Sequence, residues 1–293
     1  MDFGIKLWAY YLKSCIWSAK WAIIAVSAYS LLTGIIAIFV NMLSAENIVI
    51  TAFLTVLEVL INLVAPFVLC MIIALAFALM NYKLENALNT YGYSRQYLEL
   101  FEREKITGKP FSENTALSYA FIFMRMEEHE SALNYLQTLN IHKGNTAGWT
   151  NYFFMYVMSA IGAGKPELAD KLWADNIESI NSILAKQFFV TTQKHYFYTA
   201  FIYADCAMGR YERALEQALG CLAKKDHHYD KTSRIDMEII ALYALKKLGR
   251  DAEMNARMPA VVSMIEHYKP LYNWQATKIR QDFNNAVQGI LPL

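Results

Sequence analysis

Between Trp21 and Tyr82 the chain contains no Lys, Arg, Asp or His, and its only charges there are Glu46 and Glu58. A helix of a soluble core needs no uninterrupted apolar run of roughly 20 residues, whereas a membrane span does. Two such runs are present, Trp21 to Leu43 and Leu60 to Met80, split by the polar patch Asn41, Ser44, Glu46 and Asn47. Cysteine is scarce as well. The four cysteines, Cys15, Cys70, Cys206 and Cys221, form no CxxC and no paired framework. That argues against a structural zinc site or a disulfide scaffold and suits a reducing compartment. The formal charge of +1 gives no argument for nucleic acid. No GxGxxG, GxxxxGK[ST], HExxH or GxSxG occurs, so neither a cofactor nor a catalytic role is expected.

What is present organises itself around the apolar block. Residues 1–20 carry Lys6, Lys13 and Lys20 on one helical face, interleaved with Leu7, Trp8, Tyr11 and Trp17, which reads as a basic amphipathic segment. Residues 21–82 read as a two-helix transmembrane hairpin with spans at 21–43 and 60–80. A cleaved leader is not expected, because the apolar run is too long and lacks a small-residue cleavage site. Lys6, Lys13 and Lys20 precede the first span, Lys83, Arg95, Arg103 and Lys105 follow the second, and the connecting loop has no basic residue. The positive-inside rule therefore places both ends in the cytoplasm. An uncleaved hairpin of this kind fits a bacterial plasma membrane. Glu58 falls near the outer interface, with Asn62 a turn deeper and Pro66 as a candidate kink. Residues 83–110 form a helical connector broken at Tyr91-Gly92-Tyr93, where Ser94 can cap the next helix, and ended by Thr107-Gly108-Lys109-Pro110.

Residues 111–293 repeat. Four helix pairs are expected, with turn residues Glu127, Gly164, Gly209 and Gly249 spaced about 40 residues apart. Five positions after the turn come Ala132, Ala169 and Ala214, replaced by Met254 in the fourth unit. Glycine supplies a left-handed helix stop, and alanine lets paired helices approach closely. The strongest unit is Ala204 to Cys221, with Gly209-Arg210-Tyr211 and Ala214; Tyr119, Ala120, Phe123, Ala132 and Leu136 carry the first. The second has Phe153, Tyr156, Gly164, Ala169 and Trp173. These residues resemble the tetratricopeptide repeat, with a longer spacing than that family's 34 residues and with Asp205 where the family has a tyrosine. The fold expected is all-α: the hairpin, then a tetratricopeptide-like α-solenoid. A last helical pattern from Pro259 to Gln288 reads as its terminal cap.

The resemblance implies a concave face lined by the first helix of each pair. Carried over position by position, that face holds Asn114, Leu117, Phe121, Met124 and Arg125, then Asn151, Phe154, Met158 and Ile161. Tyr196, Thr199, Tyr203 and Cys206 follow, then Asp236, Ile239, Tyr243, Lys246 and Lys247. Phe121, Phe154, Tyr196, Tyr203 and Tyr243 would be the aromatic anchors and Lys246 with Lys247 a basic end, suited to a protein or peptide with an acidic end. The alternative is that these side chains fill their own groove as core. Glu127-Glu128-His129-Glu130 reads as a solvated turn, His227-His228 with Asp226 and Asp230 as a loop, and Asp205 as a buried carboxylate held by a tyrosine hydroxyl or backbone. The expected role is a membrane-tethered adaptor whose partners are a protein or peptide and the bilayer. The alternatives are a subunit assembling through its hairpin and an enzyme or metal-dependent sensor.

Overall fold

The computed structural model describes residues 3–44, 48–106, 112–141, 146–185, 191–223 and 231–293, and every regular element among them is an α-helix. The polar patch at Glu46 and Asn47, the Thr107-to-Pro110 break and the His227-His228 loop lie outside the described residues, as do the side chains of Glu58 and Asn62. The chain divides into two compact units, Met1–Ala87 and Leu88–Leu293.

The first unit holds α1 (Phe3–Ser44) and most of α2 (Ile48–Tyr91). At 1.5 Å per residue the 42 residues of α1 measure about 63 Å, roughly twice a bilayer's hydrocarbon core. The basic segment is not set off by a break, because α1 runs unbroken through Lys20 and Trp21. Its first turns lie along the C-terminal half of α2. Phe3 meets Tyr82 with ring centroids 6.4 Å apart, Tyr11 stacks on Phe77, and the Tyr11 hydroxyl donates to Glu85 at 3.3 Å. Cys70, Ala74 and Ala78, four residues apart on one face of α2, are buried, as is Leu7. Small side chains at that spacing let two helix backbones approach closely. The opposite faces stay apolar and open: Val64, Leu69, Ile72, Leu79 and Met80 are each more than half exposed. Within the described residues one helical stretch, Val64–Tyr91, is long and apolar enough to cross a membrane. Helix α2 continues through Pro66.

The second unit begins with α3 (Arg95–Lys105), capped as expected by Ser94, whose hydroxyl accepts the Tyr97 N–H at 3.4 Å. Four helix pairs follow. They are α4 (Glu113–Arg125) with α5 (His129–Thr138), α6 (Thr146–Gly162) with α7 (Glu167–Ala174), and, after an added helix α8 (Ile177–Ala185), α9 (Thr191–Ala207) with α10 (Tyr211–Ala223). The fourth is α11 (Lys231–Lys247) with α12 (Asp251–Glu266). The first helices α4, α6, α9 and α11 pack in series, each on the next. Helix α8 lengthens the second unit, which accounts for its wide spacing.

Each pair closes in the same way. Glu127, Gly164, Gly209 and Gly249 all have positive φ, between 62° and 74°. In each, the N–H after the turn residue reaches back five positions, as Lys165 to the Ala160 carbonyl (2.8 Å), Arg210 to Asp205 (2.8 Å), Arg250 to Leu245 (3.0 Å) and Glu128 to Phe123 (3.0 Å). This pairing satisfies carbonyls that a helix end leaves open and needs one left-handed residue. The small residues five positions on are buried: Ala132 and Ala214 have no exposure, and Ala169 and Met254 very little.

The final helical pattern is not one helix. Pro259 sits inside α12, which runs to Glu266, and the break falls around Pro270, which disfavours helix at the residue before it. Helix α13 (Asn273–Val287) then turns back along the unit. It packs on α11, while its start meets the last turn of α2 and the residue two beyond it: the Asn273 N–H donates to Asn89 Oδ1 at 3.2 Å, and Trp274 lies edge-on to Tyr93 at 5.3 Å. A cap stacked only on the last helix pair would not make these contacts.

The turns give a test with two opposite signs. Glu127 carries the backbone strain that glycine avoids, about 1 kcal/mol or slightly more. A Cβ added at Gly209 meets nothing within 4 Å, so only the backbone penalty applies there. Glu127→Gly should raise, and Gly209→Ala lower, the stability of the chain by about 1 kcal/mol each, read as the shift in denaturant midpoint at constant slope.

Candidate binding groove

The residues placed on the first helices come together at the N-terminal end of the row and part company at the other. Asn114, Leu117, Ser118 and Phe121 of α4, Asn151, Phe154 and Met155 of α6 and Tyr196 of α9 line one cleft of about 430 Å³. Its remaining wall is Tyr93 with Tyr97 and Phe101 of α3. Phe154 and Tyr196 are 5.2 Å apart, Tyr93 meets Phe121 edge-on at 5.6 Å, and the exposed Arg125 guanidinium sits 5.1 Å from the Phe121 ring. Phe121, Phe154 and Tyr196 are partly exposed. The cleft is thus aromatic on three sides with two carboxamides at its mouth, and a cation stands beside it.

Tyr203 and Tyr243 are placed differently. They are 8% and 4% exposed and belong to the core. Burial, the largest cause, raises the pKa of both phenols; the charges of Asp236 and then Asp282 add to the shift at Tyr203. Helix α11 is enclosed by α10, α12 and α13, so its inward positions from Ile239 to Leu245 have almost no exposure. Lys246 pairs with Asp251 at 3.1 Å, Lys247 lies 5.8 Å from the Tyr211 ring, and the stems of both lysines abut Gly289. The line of five aromatics is therefore not one open surface: Phe121, Phe154 and Tyr196 open on the cleft, and Tyr203 and Tyr243 are packed.

Two contributions were invisible at the level of repeats. Tyr97 and Phe101 sit four residues apart on one face of α3, and with Tyr93, which precedes that helix, they supply a wall of the cleft. Trp274 had no such signal, because only the return of α13 brings it to Tyr93.

The buried carboxylate Asp205 has a partner other than the expected hydroxyl or backbone. Its side chain, 1% exposed, accepts from Arg210 Nε (2.7 Å), from Arg213 Nε (2.6 Å) and from Arg213 Nη2. Arg210 turns its two terminal nitrogens to Asp170, both at 2.9 Å, and that bond holds the Asp170 carboxyl below its ordinary range. Asp205 lies five residues before Arg210 and eight before Arg213, so the third pair's own turn and second helix neutralise it. Burial, then the Asp205 charge, pushes the Cys206 thiol up to about 12, which leaves it inert as a nucleophile. In the acidic turn of the first pair, Arg95 holds Glu128 at 2.7 Å and Lys165 holds Glu130 at 2.8 Å. Among the described residues no group of three or more His, Cys, Asp or Glu is placed to hold a metal.

No protein-family model, curated protein or solved structure matches the chain.

His129 gives this end of the unit a pH dependence. Its ring is half-buried against Gly162, whose missing Cβ leaves the space the imidazole fills. Burial lowers its pKa from 6.5; Glu127 opposes the shift and Lys278 adds to it. The unfolded chain then takes up the proton first as pH falls. Stability is full above about pH 6.5 and declines below it. Melting should move to lower temperature between pH 7.5 and 5.5, and His129→Gln should remove that part of the shift.

Proposed function

We propose that the chain is a membrane-tethered adaptor that binds a protein or peptide and is not an enzyme. On this reading residues 21–82 form a transmembrane hairpin with both ends cytoplasmic, and the helix pairs form a tetratricopeptide-like α-solenoid whose first helices line a concave face. The observation that carries it is the aromatic cleft: Phe121, Phe154 and Tyr196 partly exposed around a 430 Å³ hollow, with the Arg125 guanidinium beside it. Aromatic anchors in such hollows dominate interface energies, and Arg125 suits a partner with an acidic side chain near its anchor. The exposed apolar faces of α2 support the anchor, since contiguous surface of that kind has no stable place in water. Holding the binding unit at a membrane raises its effective concentration towards other membrane-bound chains without any new contact.

Two measurements test the reading. A photo-crosslinking amino acid at Phe121, Phe154 or Tyr196 in the full chain, in its native membrane, should trap one and the same protein. The same reagent at the exposed Gln137 and Glu216 of the second helices should not; identical bands from both sets would sink the cleft. Phe121→Ala and Tyr196→Ala should weaken that capture about tenfold or more with melting unchanged. For the anchor, reporter fusions after Lys20 and Lys83 should report the cytoplasm and a fusion at Glu46 the opposite side. An external signal from Lys83 would end the topology.

A further inference from the structure

The C-terminal helix holds the unit less like a structural element than like something bound to it. Only Ile279 and Ala286 of α13 are buried, whereas α11 beneath it is buried without interruption from Met237 to Leu245. It is reached by a proline-containing loop and packs mainly on α11, not on α12 from which it comes. It runs from the Lys246–Lys247 end, where Gly289 abuts both stems, to Tyr93 at the opposite end. Midway, Lys278 and the terminal Leu293 close a small cavity over Met124, Arg125, Phe154 and Met158. All four are first-helix positions of the proposed concave face.

The seat is incompletely satisfied. Trp274 Nε1 and His129 Nδ1 are both buried without a hydrogen-bond partner, one at the start of α13 and one under its middle. Lys278, by contrast, is fully engaged within the segment itself, bonding Asp282 at 2.6 Å and the Leu293 carbonyl. A helix whose partly buried Lys278 and Asp282 pair with each other, and whose anchor donor is unpaired, leaves without taking half of that ion pair from its seat. Tyr93 joins the seat to the open cleft, because its ring meets Trp274 on one side and Phe121 on the other.

We propose that residues 273–293 are an intramolecular ligand of the row of first helices, and that the partner is an amphipathic helix of the same pattern which displaces them. That pattern is an aromatic anchor at the first turn, an apolar stripe equivalent to Ile279, Phe283 and Ala286, and a Lys–Asp pair four residues apart. The 430 Å³ cleft is the part of the binding face left open, and release of α13 extends it towards Met124 and Met158. The identity of the partner rests on the adaptor reading; the occupancy of the seat does not.

The test uses the full chain in detergent micelles and a fluorescent synthetic peptide of residues 273–293, followed by anisotropy. A chain ending at Tyr272 should bind the peptide at least tenfold more tightly than the intact chain, and a peptide carrying Trp274→Ala should lose that affinity. The double variant Asn89→Cys, Asn273→Cys, oxidised, should bind no peptide, and reduction should restore the weak binding of the intact chain. A shortened chain that keeps its helical circular dichroism and does not bind overturns the proposal, as does equal binding by all variants. If the shortened chain loses its helicity, hydrogen exchange on the intact protein decides. Amides of α13 should exchange at least tenfold ahead of those of α11, and exchange of the two together overturns the proposal. Dimers in which α13 passes between copies also overturn it, in favour of a second copy as occupant. If crosslinks from Phe121 and Phe154 find no partner, the adaptor reading fails while the peptide titration still decides the seat.

Discussion

The constraint on which the second unit depends is a single backbone conformation repeated four times. A helix can be followed at once by an antiparallel neighbour only if the chain reverses within a few residues and the last carbonyls keep partners. One left-handed residue does both at Glu127, Gly164, Gly209 and Gly249. Because the reversal is always the same, the residue five positions on always faces the first helix, and only a small or pliant side chain fits there. Ala132, Ala169, Ala214 and Met254 are the result. The register of each second helix is therefore set by its turn, and the series of first helices follows from stacking like units.

This is also why so much of that unit was legible. Turn glycines and buried alanines are local, and their spacing survives in one dimension. The cap at Ser94 was legible for the same reason. What the sequence could not carry is the path of the chain after the last pair. Periodicity through Pro259 and Pro270 reads as one helix, and nothing local shows that Tyr203 and Tyr243 are interior while Phe121, Phe154 and Tyr196 stay open. A face inferred from repeats presumes that nothing else lies on it. The partners of Asp205 are less legible: Arg210 stands in a turn dipeptide shared with the other pairs, and Arg213 carries no signal in the repeat pattern.

In the first unit the legible feature was composition. The scarcity of charge from Trp21 to Tyr82, two glutamates and no basic residue, marks an environment without naming its geometry, and it gives no hint that Cys70, Ala74 and Ala78 form the buried seam of α2. Small residues disappear in a long apolar run because hydropathy does not distinguish a contact surface from a lipid-facing one. The two are separated by what each side chain touches: Leu7 and the small seam are covered, and Leu79 and Met80 are not.

The sharing of Asp205 by two guanidiniums has a bearing on how substitutions in this chain should be read. Arg213 looks expendable by position, since more than half of its side chain is in solvent. Yet it supplies part of the neutralisation of a carboxylate with 1% exposure. Sensitivity to change here follows the electrostatic debt of the neighbour and not the exposure of the residue replaced. A map of tolerance drawn from exposure alone would class Arg213 with the surface, when its energetic home is the interior.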